Sequence, residues 1–269
     1  MPTAALIHDW TRVEAGIWHD FHLAWIGEIR KQLNAGLLPD PYYALAEPQG
    51  GFSVEDRSED DGTNGPEESD DPRPQRFEAD LLTLSAEPGA STIGDAGVAL
   101  LDRPPAIRLT TPLSRSRLLP RRIAIRHSTG DRTVALIDLV SPGNRSSVSK
   151  ITSFCNKVVT AIDGGVHVLL IDLFPPNGLL PSGMHGEIAG TFGVDYDPPA
   201  GEPLTCAAYR AAANAATSFV EPLAVGAAPP TMPLFLTSHR YVELPLAPSY
   251  SEAFAPTAKK YRQILEAAA

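Results

Sequence analysis

The sequence predicts an α/β domain in which a mixed sheet is flanked by helices, and three observations carry that expectation. Two near-continuous aliphatic runs, Thr133–Val140 and Val166–Phe174, have the length and composition of strands covered on both faces. Between them, Ser146–Ile162 has the length of a crossover helix, entered through a Ser141-Pro-Gly-Asn-Arg145 turn and stopped at Asp163-Gly-Gly165. A strand, helix and strand of these lengths form a parallel βαβ crossover unit.

The elements before this unit are shorter. Ile17, Trp18, Phe21, Leu23, Ala24, Trp25, Ile29 and Leu33 fall close to helical spacing, which predicts a helix over Ile17–Leu38 with a stop near Asn34-Ala-Gly36. Pro39-Asp-Pro41 breaks the chain, and Tyr42–Glu47 reads as a short strand. Arg76–Leu84 is a second strand candidate, and Glu87–Pro104 reads as a loop. Ala106–Thr110 and Arg121–His127 are strand-like, and Ser128-Thr-Gly-Asp131 turns the chain into the first aliphatic run.

Beyond Pro175-Pro-Asn-Gly178 a Gly- and Pro-rich loop is expected as far as Pro203. An Ala-rich helix over Thr205–Ser218, a strand at Arg240–Leu244 and a last helix over Ser251–Ala268 complete the chain. No internal repeat is evident, so residues 1–269 read as a single α/β domain.

Composition narrows the class. With 43% hydrophobic and 20% charged residues the chain has the make-up of a globular protein, and no apolar run is long enough to span a bilayer. No membrane partner is therefore expected. The opening residues lack a basic region followed by a long apolar core, so no signal peptide is expected, and a reducing cytoplasm is the default compartment. Cys155 and Cys206 are too few for a disulfide framework and lack metal-ligand spacing.

The formal charge of -10 speaks against a surface coated in basic residues. Most of that excess is local, since Ser53–Asp71 is dense in Asp and Glu and carries a single Arg. Residues 53–75 are expected to form an acidic, disordered insertion. The remainder is close to neutral, so charge neither supports nor excludes a nucleic-acid groove.

Each aliphatic strand contains one acid, Asp138 in the first and Asp172 in the second. A buried carboxylate is costly unless it is paired, hydrogen-bonded or bound to a metal. Asp138 lies three residues before Ser141, near the sheet edge where α/β folds place their ligands. Asp80, in the strand upstream, is a second carboxylate that could share a hard cation such as Mg²⁺. The plainer reading of either acid is a helix cap or an ion pair with a buried Arg, and Asp172 suits packing or a structural pair.

The positive group that phosphate chemistry needs has several candidates. Lys150 and Lys157 are seven apart on the predicted crossover helix and share a face, while Arg145 sits in the turn. Lys157 is preferred. Each of them could equally be a solvated surface residue. His19 and His22, at helical i, i+3 spacing, form a feasible metal pair, but no third ligand accompanies them. Trp10, Trp18, Phe21 and Trp25 around them are expected to build core. No Gly-rich phosphate loop, nucleophile elbow or zinc-protease helix is present.

Asp80, Ile137-Asp-Leu-Val-Ser-Pro-Gly-Asn-Arg145, Lys157 and His167-Val-Leu-Leu-Ile-Asp-Leu-Phe174 together resemble a bacterial family known only as a domain of unknown function. His8-Asp-Trp-Thr-Arg12, Trp18-His-Asp-Phe-His22 and Tyr42-Tyr-Ala-Leu-Ala-Glu47 extend that resemblance over most of the chain. More distantly, the arrangement is similar to putative nucleases of the PD-(D/E)XK superfamily, which implies a restriction endonuclease-like mixed sheet.

On that resemblance Asp80 and Asp138 would be divalent-metal ligands, Glu47 an accessory metal ligand, and Lys157 the lysine supplied from the following helix. The implied activity is Mg²⁺-dependent hydrolysis of phosphodiester bonds in nucleic acid. This chain departs from the pattern in two ways. The lysine expected two residues after the second acid is replaced by Val140, and Asp138 and Arg145 stand where the first family tends to show Glu and Lys. Arg stays charged and is a poor proton carrier. These departures favour the rival expectation, a non-catalytic interaction module that keeps the fold. An enzyme acting on a small molecule has no motif behind it.

Overall fold

The computed structural model describes residues 6–46, 81–86, 98–100, 108–113, 132–212 and 215–267. Glu47, Asp80, the 53–75 insertion and the strand expected at 121–127 lie outside these residues. The chain is a mixed α/β fold. Its main sheet contains β1 (Tyr42–Ala46), β2 (Leu81–Ala86), β4 (Leu109–Leu113), β5 (Arg132–Leu139), β6 (His167–Asp172), β7 (Leu204–Ala212) and β8 (Ala215–Leu223). The order across the sheet is β1-β2-β5-β6-β7-β8-β4. Strands β5 and β6 are parallel, joined by helix α2 (Val148–Asp163), and the other described pairings in this sheet are antiparallel.

A smaller sheet, ordered β3-β10-β9, is formed by β3 (Val98–Leu100), β9 (Thr231–Thr237) and β10 (Arg240–Pro245). Side-chain alternation along β5 and β6 divides the core in two. Ile137, Leu139, Leu169 and Ile171 face a layer made by the small sheet with α1 (Ala15–Gln32) and α4 (Leu246–Phe254). Leu136, Val140, Val168 and Leu170 face α2 and α3 (Gly183–Thr191). Both faces being covered explains why these strands read as unbroken aliphatic runs. Among the described residues no helix is long and apolar enough to cross a membrane.

Helix α1 ends at Gln32, in a final widened turn over Leu33–Leu37 where Gly36 adopts φ 115°. Helix α2 is capped by the Ser147 side chain, which accepts from the Lys150 N–H. The preceding turn carries a capping box, with Ser141 accepting from the Asn144 N–H and the Asn144 side chain accepting from the Ser141 N–H.

The expected helix over Thr205–Ser218 is instead the antiparallel pair β7 and β8, with Ala212 opposite Ala215. Alanine favours helix weakly, and tertiary pairing overrides it. Ala207 and Ala211 face α2 and α3, whereas Ala208 faces the opposite layer, which is the two-residue period of a strand. The expected last helix is two helices, α4 and α5 (Lys259–Glu266), because Pro256 interrupts it. α4 also begins earlier than expected, at Leu246, with Pro248 tolerated in its first turn. α3 lies inside the stretch expected to be loop. Its glycines lower helix propensity, but burial of Met184, Ile188 and Ala189 stabilises it, and a Cβ at Gly186 would collide with Ser182.

Candidate site at the carboxyl edge of strands β5 and β6

Asp138 is the penultimate residue of β5 and shares a face with Leu136 and Val140, the face covered by α2. Lys157 projects from the third turn of α2 and donates from Nζ to Asp138 Oδ2 at 3.1 Å. The carboxylate side chain is 2% exposed and the lysine side chain 21% exposed, so the pair spans from the sheet interior to solvent. The Lys157 ammonium also lies 5.8 Å from the centre of the Phe154 ring. The strand acid and the helical lysine singled out from the sequence are therefore brought together.

Asp172 ends β6 on the same face, in a different role. Its Oδ1 accepts from the Phe174 N–H and its Oδ2 from the Met184 N–H, each at 3.2 Å, so it ties the loop after β6 to the start of α3. Arg145 Nη1 stands 3.6 Å from Asp172 Oδ1, and Arg145 Nη2 donates to the Pro175 carbonyl at 2.7 Å. Arg145 also sits over the Phe174 ring. Burial raises the Asp172 carboxyl above the usual carboxylate range, opposed by the charge of Arg145 and the two backbone donors. Asp172 is a structural ion pair, and Arg145 is committed to it rather than to Asp138. No sequence signal marks Phe174, Pro175 and Met184 as partners, because they contribute backbone atoms.

The aromatic cluster is core. Trp10, Trp18, Phe21 and Trp25 are buried between α1, α4 and the main sheet, with Trp18 edge-on to Phe174. Tyr250 of α4 anchors the N-terminal segment, accepting from the His8 N–H and from Trp10 Nε1, with His8 Nδ1 2.9 Å from its hydroxyl. His22 is fully buried and stacked on Trp18, and burial lowers its pKa to about 4. His19 and His22 have ring centres 6.3 Å apart.

Among the described residues no three His, Cys, Asp or Glu side chains are placed to hold a metal ion together. Leu81 is the register partner of Asp138 across β2 and β5, and Asp80 is the residue before it in the sequence. Mg²⁺ is commonly held by one or two carboxylates with several waters. Asp138 is one carboxylate at a strand end, 2% exposed and accepting from the Lys157 ammonium. No family model, curated protein or solved structure matches the chain. The carboxyl edge of β5 and β6 thus offers two acid–base pairs, one sealed and one with its cation reaching water.

Proposed function

We propose that the chain is a PD-(D/E)XK-like nuclease, hydrolysing phosphodiester bonds of nucleic acid with a divalent cation held in part by Asp138. The observation that carries the reading is the Lys157–Asp138 contact of 3.1 Å at the end of β5. A carboxylate and an ammonium held together at a sheet edge are the pair that phosphoryl transfer uses, one for the cation and one for developing negative charge. The resemblance of the strand–turn–helix sequence to that superfamily points the same way, with lysine supplied from α2 in place of Val140.

In this reading Asp138 supplies an oxygen ligand, with Asp80 and Glu47 as the further acids. The bound cation would polarise a phosphoryl oxygen and lower the pKa of a coordinated water. Lys157 orients Asp138 and presents N–H groups toward the phosphate, where charge accumulates. The apolar neighbours of Asp138, among them Leu136 and Val140, lower the local dielectric and strengthen these interactions.

The test is cleavage of labelled DNA and RNA with Mg²⁺ or Mn²⁺ by wild type, Asp138→Asn and Lys157→Ala. Wild-type activity, reduced by two or more orders of magnitude in both variants, is expected. Absence of cleavage with every metal, or equal cleavage by Asp138→Asn, overturns the reading. A second reading is a non-catalytic interaction module of the same fold. It is favoured by the near-complete burial of Asp138, whose ion pair with Lys157 is also what a purely structural role requires. Calorimetric titration with Mg²⁺ separates the two, since this second reading expects no heat that depends on Asp138.

A further inference from the structure

Resting on the nuclease reading, we infer that the outer face of α2 is the surface that tracks the nucleic-acid backbone, with Lys150 as its leading phosphate contact. The solvent side of this helix is Val148, Ser149, Lys150, Thr152, Ser153, Asn156 and Lys157, followed by Thr160, so it is polar beyond its first residue. α2 contains no acid until its last residue, Asp163. In a chain of net charge -10, that is a local reversal of sign. Lys, Ser, Thr and Asn are the residue types that contact phosphate oxygens without reading sequence.

Position adds to composition. Lys150 is exposed at the start of the helix, and Lys157, seven residues on, is the cation paired with Asp138. Seven residues of helix advance about 10 Å. Measured along the axis of B-form DNA that is about three base pairs. A strand held along this face would therefore arrive at the Asp138–Lys157 pair from the Lys150 end. Glu187 of α3, whose charge acts on Cys155, borders the face on the side where the two helices pack. Helix α5, with Lys259, Lys260 and Arg262, is basic as well and serves as the control surface.

The experiment is fluorescence anisotropy with a labelled DNA duplex in EDTA, which removes cleavage from the reading, over a series of salt concentrations. Lys150→Glu is expected to weaken binding about ten-fold or more and to reduce the slope of log affinity against log salt by about 0.9 for a lost phosphate contact. Lys150→Arg should retain binding, and Lys260→Glu should match wild type. Circular dichroism on each variant checks folding, which an exposed helical position is expected to leave intact. Equal affinity and slope in Lys150→Glu, an equal loss in Lys260→Glu, or no wild-type binding at low salt overturns the inference. The outcomes separate it from the nuclease reading. Cleavage that needs Asp138 but ignores Lys150 removes only the surface, whereas Lys150-dependent binding with cleavage indifferent to Asp138 removes only the chemistry.

Discussion

Arg145 reaches Asp172 across the gap between the loops that follow β5 and β6, with Nη1 3.6 Å from Oδ1 and both side chains all but excluded from water. Removing one partner leaves the other buried and uncompensated, which typically costs about 3–5 kcal/mol. Arg145→Met is expected to lower unfolding free energy by that order in urea. Asp172→Asn should cost more than Arg145→Met, because it leaves a buried guanidinium that cannot deprotonate and loses one of the two backbone bonds from Phe174 and Met184, whereas the carboxyl left by Arg145→Met keeps both and can protonate. Equal losses in the two variants would show that the backbone bonds contribute little.

The Lys157–Asp138 pair is expected to behave differently. Lys157 keeps part of its side chain in water, whereas the Asp138 carboxylate to which it donates is buried. Lys157→Met should therefore destabilise by about 1–3 kcal/mol, the cost of taking one donor from a buried carboxylate. A double-mutant cycle with Asp138→Leu in urea measures the coupling, and additive effects would mean that the contact is not maintained in solution.

How much of this was legible in the sequence depends on where the information lies. β5, α2 and β6 were legible because long aliphatic runs, a Ser-Pro entry and a Gly-Gly stop all agree locally. Lys157 was legible because it lies on the predicted crossover helix, where the resemblance supplies the lysine missing at Val140. β7 and β8 were not, because Ala207, Ala208 and Ala211 carry a helical preference that the antiparallel partner strand overrules. Helix α3 was hidden for the opposite reason, its glycines being tolerated only because Met184 and Ile188 are buried. At the site, the role of Asp172 could be guessed from burial, but its two N–H donors come from backbone that only the tertiary fold brings close.

Four buried histidines set a pH dependence. Burial lowers the pKa of His8, His22, His167 and His185 to about 4 each, against an ordinary value of 6.5. Below pH 6.5 the unfolded chain takes up protons that the folded chain refuses, so their contribution is complete above 6.5 and is lost as pH falls toward 4. A shift of this size is on the order of 3 kcal/mol per residue as an upper figure. Urea unfolding of wild type should weaken steadily over that window. His22→Gln, which cannot titrate there, should show a flatter profile, and an unchanged slope would mean that His22 is not buried neutral.

Asn34 closes the free edge of β1. Its Oδ1 accepts from the Ala44 N–H at 2.8 Å and its Nδ2 donates to the Ala44 carbonyl at 2.9 Å, the two bonds that a neighbouring strand would otherwise make. β1 is the terminal strand of the main sheet, with Leu45 exposed, so an uncovered edge there would present backbone groups to another chain. Asn34 can reach because the widened turn after α1, with Gly36 at positive φ, returns the chain toward β1. Asn34→Ala should lose about 1–2 kcal/mol for two unmet backbone groups. It should also raise the rate of light scattering on mild heating more than an equally destabilising core change such as Val159→Ala. Asn34→Asp keeps the acceptor and loses the donor, so it should fall between wild type and Asn34→Ala in stability. If scattering in Asn34→Ala merely tracks stability and matches Val159→Ala, the amide is a local brace and not a guard of the strand edge.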